Sequence, residues 1–330
     1  MSSQPILEVD ELDVSFATAD GPVHAVRGVT LDVREGEVLG VVGESGCGKS
    51  VTMLATLGLL PSNATVSGSV RYRGRELLGL PSDELRPLRG ERIAMVFQDP
   101  VTSLNPVLTV GHQIAEAIRV HHREVGRREG RNRAIELLGQ VGIPRPERRV
   151  DDYPHQFSGG MCQRAMIAMA IANGPDLLIA DEPTTALDVT IQAQILDLLR
   201  AVQAERGMGI VLISHDLGVV AGLVNRVTVM YAGRVVERGP VDDVYYASRH
   251  PYTRGLLASL PRLDDPGRTR LTPIEGSPPS LLALPPGCAF RPRCPRAAAD
   301  CATVDPPLIR VGAVESACLY ADNLEPQPSR

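Results

Sequence analysis

Residues Gly43 to Ser50 read Gly-Glu-Ser-Gly-Cys-Gly-Lys-Ser, and this stretch decides the fold prediction. An apolar run, 37–42, precedes it, and a segment with helical character, 51–60, follows it. A strand, a glycine-rich loop and a helix in this order are typical of a phosphate-binding loop, whose backbone N–H groups surround the phosphates of a nucleotide at the positive end of the helix dipole. We expect Lys49 to reach the outer phosphates and the Ser50 hydroxyl to bind Mg²⁺. The stretch therefore predicts a nucleoside triphosphate site.

Composition and charge describe a globular protein that does not bind nucleic acid. The chain has 330 residues, of which 43% are hydrophobic and 22% charged, and its net charge is −5. This length accommodates one large domain and a smaller one. A nucleic-acid partner would require a basic stripe, and the arginine-rich segment 123–133 is better explained as a solvated helix face than as a phosphate-contact patch. We therefore predict no nucleic-acid partner.

The sequence shows no segment of its own that would cross a membrane. No apolar run approaches the ~18 residues that span a bilayer. The first residues, Met1 to Pro5, lack the positive and apolar regions of a signal peptide. We expect the chain to stay in the cytoplasm, so a partner must supply the spanning helices if it works at a membrane.

Strand and helix patterns alternate along most of the chain. Strands are predicted at 6–33 (two, joined by a turn at 19–22), 66–72, 93–97, 176–180, 210–213 and 227–231. A long helix is predicted at 189–205. Alternation of this kind indicates an α/β fold with a mainly parallel sheet covered on both faces. Helical spacing of apolar residues, with many Arg and Glu between them, predicts a helical subdomain inserted at about 99–170.

Polar residues end several of the predicted strands. Asp181 is suited to a place around Mg²⁺, and Glu182 to orienting or deprotonating an attacking water. This pair is a weak signal alone and a strong one downstream of a phosphate loop. Gln98 and His215 each follow another strand, so the Gln98 amide could bind Mg²⁺ or the water and His215 could point at the terminal phosphate. Taken singly, either would be an ordinary polar residue.

A second anion site is predicted where Ser158, Gly159 and Gly160 open a helix that runs to Asn173. Their backbone N–H groups and the serine hydroxyl lie at a helix N-terminus, where negative charge is favoured. One nucleotide in one chain has no use for two such sites. Two chains facing head to tail do have a use for them, because each helix end closes on the phosphates held by the other chain.

The order of these motifs resembles the ATP-binding subunit of an ABC transporter, over roughly the first three-quarters of the chain. The motifs are the phosphate loop, Gln98, Ser158-Gly159-Gly160, Asp181-Glu182, Ala186-Leu187-Asp188 and His215. The resemblance implies ATP and Mg²⁺ as cofactors and a fold with a mixed β-sheet core, an antiparallel β part and a helical subdomain. It also implies two transmembrane permease subunits and an extracytoplasmic substrate-binding protein as partners, with this chain peripheral at the cytoplasmic face of the cell membrane.

The resemblance also implies a role for each matching residue. Phe16 is the expected aromatic platform for adenine, although a core position in its strand is the alternative. Asp188 is expected to make a loop contact across the dimer. Phosphates are held by Gly43, Glu44, Ser45, Gly46, Cys47, Gly48, Lys49, Ser50 and Val51, and across the dimer by the signature motif, Ser158, Gly159 and Gly160. Catalysis is assigned to Glu182, His215 and Gln98, with Mg²⁺ held by Ser50, Gln98 and Asp181.

Two positions depart from the family pattern. Met161 replaces the usual Gln after the signature glycines, which removes an amide near the nucleotide and could weaken the site that this chain completes. Phe16 replaces the more common Tyr, but its ring still offers a face for stacking. Because Lys49 and Glu182 are intact, a catalytic subunit is favoured over a binding module without activity.

Further segments resemble the dipeptide and oligopeptide importer ATPases. They are Gln98-Asp99-Pro100 with Ser103-Leu104-Asn105-Pro106, the segment from Asp181 to Thr190, and Arg249-His250-Pro251-Tyr252-Thr253-Arg254. This subfamily usually pairs two different ATPases, so a heterodimer with a second related ATPase is preferred over a homodimer. A nickel or sugar importer of the same subfamily and a soluble ABC-type ATPase remain the alternatives to peptide import.

Segment 251–286 is rich in proline and glycine and contains no long periodic segment, and this change in composition predicts a domain boundary. We expect an ABC ATPase domain at 1–245 and a C-terminal extension at 246–330. Four of the six cysteines lie in this extension: Cys288, Cys294, Cys301 and Cys318. Four thiolates can bind Zn²⁺ or an iron–sulfur cluster, and the resemblance favours a 4Fe-4S cluster of structural role, with zinc and unmetallated thiols as alternatives.

The other two cysteines have simpler interpretations. Cys47 lies in the phosphate loop, where a small residue is needed and where the nearby helix end could lower the pKa of its thiol. Cys162 follows the signature glycines and is expected to be small and buried.

Overall fold

The computed structural model describes residues 4–185, 187–260 and 273–324. Ala186 of the predicted Ala-Leu-Asp motif and parts of the C-terminal extension, 261–272 and 325–330, lie outside the described residues. Strands are β1 Pro5–Thr18, β2 Gly21–Arg34, β3 Val38–Val42, β4 Ala64–Tyr72, β5 Arg75–Glu76, β6 Ile93–Val96, β7 Leu177–Asp181, β8 Gly209–Ser214, β9 Arg226–Tyr231, β10 Arg234–Pro240, β11 Ile309–Val311 and β12 Val314–Ser316.

Helices of very different lengths separate these strands. They are α1 Lys49–Thr56, α2 Ser82–Leu85, α3 Pro100–Ser103, α4 Val110–His121, α5 Arg127–Gln140, α6 Pro146–Arg149, α7 Gly159–Ala170, α8 Val189–Arg206, α9 Leu217–Ala221, α10 Val241–Ala247 and α11 Pro251–Ala258. No helix among the described residues is both long and apolar enough to cross a membrane.

The chain divides into two compact units. The first unit comprises the residues up to Ile6, Arg34–Glu37 and Gly79–Val211; the second comprises Leu7–Val33, Val38–Leu78 and the residues from Leu212 onward. The boundaries predicted at 245 and at about 99–170 rest on composition and on the spacing of apolar residues in the sequence, and they stay predictions.

The second unit contains an antiparallel sheet with strand order β2-β1-β4-β5. Its strands alternate buried and exposed residues, because only one face of such a sheet meets the core. In the same unit β3 pairs in parallel with β9, from Leu39 opposite Arg226 to Val42 opposite Val229. β10 then pairs antiparallel with both β9 and β12, and β11 extends the edge. The predicted mixture of parallel and antiparallel strands is confirmed.

The first unit joins a short parallel pair of strands to a group of helices. β6 and β7 run side by side from Ile93 opposite Leu177 to Val96 opposite Ala180. Every residue of β7 is buried, as expected for a strand covered on both faces. α7 packs against α3, α4, α5 and β6. Because both strands end at the same edge, the residues that follow them are brought close together.

Most elements lie where periodicity predicts them, and the differences are local. The helix predicted to end at Leu60 ends at Thr56, and the helix predicted to run to Asn173 ends at Ala170. Five helices and strands after residue 233 lack a sequence prediction: β10, α10, α11, β11 and β12. The two short strands offer too few residues for a period, and α11 begins inside the proline-rich stretch.

Candidate nucleotide site and cysteine pocket

The phosphate loop requires glycine at two of its positions for steric reasons. Gly43 and Gly48 have φ angles of +154° and +103°, in the region that favours glycine. A Cβ atom on Gly43 would lie 2.2 Å from the carbonyl oxygen of Met230, and one on Gly48 would lie 2.4 Å from that of Ala25. The backbone at these two positions therefore passes too close to its neighbours for any side chain.

Lys49 begins α1 and folds back over the loop. Its side chain is buried, and its Nζ donates to the carbonyl oxygens of Gly43 at 2.7 Å and Glu44 at 3.0 Å. A buried ammonium needs such partners, because an unpaired charge away from water is costly. Phosphate oxygens would replace these neutral acceptors with charged ones, which bind an ammonium more strongly.

The prediction of a lowered pKa for the Cys47 thiol is wrong. Cys47 is buried, and burial raises the pKa of its thiol; the positive charge of Lys49 acts in the opposite direction without cancelling the effect. Desolvation of a thiolate outweighs the helix end and the ammonium here. The thiol stays neutral, so the requirement for a small residue explains Cys47. Cys162 is buried too, as expected.

The first unit brings Gln98 and Glu182 together. Gln98 Nε2 donates to Glu182 Oε2 at 3.0 Å, and Thr185 Oγ1 donates to the same oxygen at 2.8 Å. Glu182 is buried and has a φ of +46°, a conformation that costs free energy for a non-glycine residue. Asp181 is the last residue of β7 and is buried as well. The end of this strand thus presents two carboxylates, one of them held in a fixed orientation.

Ser158 and Asp188 each cap a helix in the first unit. The Ser158 hydroxyl accepts from the Met161 amide at 3.3 Å, and the Asp188 carboxylate accepts from the Ile191 amide at 3.0 Å. Ser158 and Gly159 are exposed at the start of α7, where backbone donors remain without helical partners. Gly160 has a packing role in addition, because a Cβ there would lie 2.9 Å from Ile191 Cγ2.

Phe16 and His215 lie in the second unit. Phe16 is near the end of β1, opposite Ala64 in β4, and it is half-buried rather than part of the core. His215 is exposed one residue beyond β8. Both positions leave the ring accessible, so stacking by Phe16 and a phosphate contact by His215 stay predictions.

The four late cysteines line one pocket in the second unit, together with His250, Arg291 and Arg296 among others. Burial raises the pKa of Cys288, Cys294 and Cys318, that of Cys318 to about 11, and neighbouring thiols add to each increase. No disulfide joins them. The thiols of Cys288, Cys294 and Cys318 are therefore neutral near pH 7, and a metal would have to displace their protons.

The arrangement does not contain a preformed site for a single ion. Within the described ranges, no three metal-binding side chains are placed to hold one metal ion. A tetrahedral zinc ion would bring the sulfur atoms to about 3.8 Å from one another, since each Zn–S bond is about 2.3 Å. An iron–sulfur cluster separates its thiolates more widely. Arg291 Nε is buried without a hydrogen-bond partner among the described residues, as expected if an anionic group belongs in this pocket.

Sequence reasoning missed the contacts that join the C-terminal extension to the phosphate loop. Arg293 donates from Nη1 and Nη2 to the Glu44 carboxylate at 2.6 and 2.9 Å, and the Glu44 amide donates to the Tyr252 hydroxyl at 2.9 Å. These partners are separated by more than 200 positions, so no local pattern connects them. The one available signal was an arginine pair between cysteines, Arg291-Pro292-Arg293.

Comparison with known proteins agrees with this fold. The family profile described as ABC transporter matches residues 26–185, and the profile described as Oligopeptide/dipeptide transporter, C-terminal region matches residues 236–301. The dipeptide transport ATP-binding protein DppD of Bacillus subtilis is 51% identical over 92% of this chain and 90% of its own length. The oligopeptide transport ATP-binding protein OppD of Mycobacterium tuberculosis is 57% identical over 93% of this chain, which spans only 50% of that relative's length.

Two solved structures share the fold. The dimeric post-hydrolysis state of the ATP-binding cassette MJ0796 bound to ADP and Pi has a TM-score of 0.64 and 29% identity, covering 71% of this chain and 98% of its own. The cbiO1 structure from Clostridium perfringens has a TM-score of 0.62 and 31% identity, covering 74% and 91%. The fold is therefore that of the ABC-type ATP-binding cassettes. Within this class, the chain belongs to the oligopeptide and dipeptide transport ATP-binding proteins.

Proposed function

We propose that this chain hydrolyses ATP to drive the import of di- and oligopeptides through an ABC transporter. The observation that carries the proposal is the match of residues 236–301 to the oligopeptide/dipeptide transporter C-terminal region, outside the part shared by ABC ATPases in general. The B. subtilis relative, named for dipeptide transport and matched over 90% of its length, supports the same substrate class.

The proposed reaction uses the chain's residues for positioning and charge stabilisation, as phosphoryl transfer requires. The phosphate loop and Lys49 hold the triphosphate, while Ser50, Asp181 and Gln98 surround Mg²⁺. Glu182 orients the attacking water. Its support is the hydrogen bonds from Gln98 and Thr185, which fix the carboxylate at the end of a buried strand.

The remaining assignments concern residues that act around this reaction. His215 contacts the γ-phosphate, and Phe16 stacks on adenine. Ser158, Gly159 and Gly160 complete the site of a facing ATPase subunit, with Asp188 at that contact. The exposure of Ser158 and Asp188 at helix N-termini supports their part in a facing interface.

The proposed assembly contains a second related ATPase, preferred over a second copy of this chain, and two transmembrane permease subunits. A substrate-binding protein on the outer side delivers the peptide. The chain then lies at the cytoplasmic face of the membrane. In functional terms it consists of an ATPase domain at 1–245, with a helical subdomain at about 99–170, and an extension at 246–330.

The proposal includes a structural 4Fe-4S cluster held by Cys288, Cys294, Cys301 and Cys318, with zinc as the alternative. Its support is the shared pocket of four free thiols and the unpartnered Nε of Arg291. A bound metal would contribute folding free energy to an extension that has few regular elements.

Peptide import is tested in a strain that lacks this chain's gene, by uptake of a labelled dipeptide, nickel and a sugar. We expect dipeptide uptake to be lost and to return with the wild-type chain but not with Lys49→Ala. Intact dipeptide uptake together with lost nickel or sugar uptake would reassign the substrate. Intact uptake of all three would favour a soluble ATPase outside transport.

A further inference from the structure

The phosphate loop is held at Glu44 by two residues of the C-terminal extension. The Glu44 amide donates to the Tyr252 hydroxyl, and its carboxylate accepts two hydrogen bonds from the Arg293 guanidinium. One residue of the loop is therefore fixed through both its backbone and its side chain. A bidentate pair of this kind has defined geometry as well as charge.

Arg293 is fixed in place by its other contacts. Its side chain is only 5% exposed, and it also donates to the carbonyl oxygens of Glu275 and Ile274. Its guanidinium lies 5.9 Å from the centroid of the Tyr231 ring. A guanidinium remains protonated in proteins, so the contact between Arg293 and Glu44 is an ion pair. This arginine is thus oriented by contacts within the protein itself.

Tyr252 is fixed by aromatic packing. It is fully buried, and its ring centroid lies 4.6 Å from that of Tyr231 and 5.4 Å from that of Phe290. Tyr231 ends β9, the strand that pairs with β3, and β3 leads into the phosphate loop. The same aromatic group therefore contacts the extension and the strand beside the one that delivers the loop.

Charge makes the contact relevant to the nucleotide. Glu44 is an acid inside a loop whose backbone and Lys49 are arranged for a triphosphate, and its side chain is 26% exposed. Without a partner, its carboxylate would place a like charge in the loop that binds the phosphates and would repel them. Its carbonyl oxygen also accepts from Lys49 Nζ, so displacement of the Glu44 backbone would displace the lysine.

We propose that Arg293 is a positioning residue of the nucleotide site, which neutralises Glu44 and holds the loop in its phosphate-binding conformation. Arg293 acts through Glu44 and does not touch the nucleotide. The inference rests on nucleotide binding as given in the proposed function, and it assigns part of that binding to the C-terminal extension. It holds whether or not the cysteine pocket contains a metal.

The test is equilibrium titration of the full chain with Mg·ADP, which binds without turnover. For Arg293→Gln we expect the affinity for Mg·ADP to fall roughly tenfold or more, the effect expected of one uncompensated negative charge in the phosphate loop. For the double variant Glu44→Gln/Arg293→Gln we expect an affinity for Mg·ADP within about twofold of that of the single variant Glu44→Gln. Arg310→Gln, an equal charge change at an exposed position of the extension, should bind like wild type.

The outcomes separate this inference from the proposed function. If the wild-type chain fails to bind Mg·ADP, the proposed function itself is wrong. If wild type binds and Arg293→Gln binds equally well, only this inference is wrong. The inference is also wrong if Arg293→Gln lowers the affinity for Mg·ADP equally in the wild-type and Glu44→Gln backgrounds, because the arginine would then act on folding alone. If Arg293→Gln does not fold, Arg293→Lys takes its place in the test. Lysine keeps the positive charge but cannot make the bidentate contact, so this variant should lose affinity for Mg·ADP only when Glu44 is present.

Discussion

Individual residues in this chain are held in the charge state or orientation that their position requires. Glu182 takes a left-handed backbone conformation and accepts two side-chain hydrogen bonds on one oxygen. Such strain persists only where surrounding structure imposes it. At Glu237 burial is the dominant influence: the side chain is fully buried and its carboxylate accepts a hydrogen bond from the amide of Arg249. These two acids give predictions that a single substitution can check.

Replacing Glu182 by Gln should lower steady-state ATP hydrolysis by roughly 10²- to 10⁴-fold, because the carboxylate that orients the water is lost. ATP should remain bound, since the phosphate loop is unchanged. Phosphate release and nucleotide titration measure the two effects separately. Glu136→Gln, the same change on an exposed face of α5, is the control. Hydrolysis near the wild-type rate would reject the role of Glu182.

Replacing Glu237 by Gln should stabilise the protein at alkaline pH. Burial raises the pKa of Glu237 from 4.5 to about 7, although hydrogen bonds and the charge of Arg254 act in the opposite direction. Between these pH values the unfolded chain has released a proton that the folded protein keeps, so the free energy of unfolding falls as pH rises. The Gln variant should be more stable by up to about 3 kcal/mol at pH 8 and equal near pH 4.

Denaturant unfolding at several pH values checks this prediction. His250 nearby titrates in the other direction, because burial lowers its pKa to about 4 and its contribution to stability is lost as pH falls from 6.5. The titration of His250 affects the wild type and Glu237→Gln alike, so it cancels in the difference between their free energies of unfolding. A stability difference that is constant from pH 4 to pH 8 would contradict the assignment to Glu237.

At the scale of elements, sequence periodicity locates strands and helices well but not the approach of one element to another. The buried strand β7 and the long helix α8 are evident from their apolar patterns, within one residue. The edge where Gln98 meets Glu182 follows from parallel pairing and could be expected. Close packing is different: nothing in the local pattern shows that Gly111 of α4 lies against Val150, since they are 39 positions apart.

Replacing Gly111 by Ala should destabilise the protein by about 1–3 kcal/mol. A Cβ there would lie 2.1 Å from Val150 Cγ2 and 2.5 Å from the Val150 carbonyl oxygen. Alanine gains at most about 1 kcal/mol of helix propensity over glycine, which the clash with backbone exceeds. Gly139→Ala, at an interior position of α5 where the added Cβ would lie at an ordinary 3.8 Å from Pro146 Cγ, should instead stabilise the protein by up to about 1 kcal/mol. Thermal unfolding compares the two, and equal effects would contradict this packing argument.

At the scale of the molecule, motif order identified the family, whereas the role of the extension could not be obtained in the same way. The phosphate loop, Asp181 and Ser158 each carry a local signature. The contact between Glu44 and Arg293 has none, because 249 positions separate the two residues and only the folded chain brings them together. The pKa of Cys47 depends likewise on burial by distant segments. Long-range contacts therefore mark the limit of what the sequence could predict here.

The cysteine pocket gives a prediction for the whole chain. Protein purified without oxygen should contain iron and sulfide and absorb visible light, because four thiols share one pocket. Cys294→Ser should remove the colour, while Cys162→Ala, outside the pocket, should keep it. Colourless protein with bound zinc would favour the alternative metal. Protein without any metal would contradict both.

The bidentate contact of Arg293 with Glu44 also bears on how such subunits can be recombined. An extension transplanted from a related subunit should give full nucleotide affinity only if it brings an arginine to a recipient that carries the matching acid. Shortening the chain to its first 245 residues leaves that acid exposed and discards Tyr252 as well. The C-terminal extension and the phosphate loop are thus matched through Arg293 and Glu44, and they should be exchanged together when subunits are recombined.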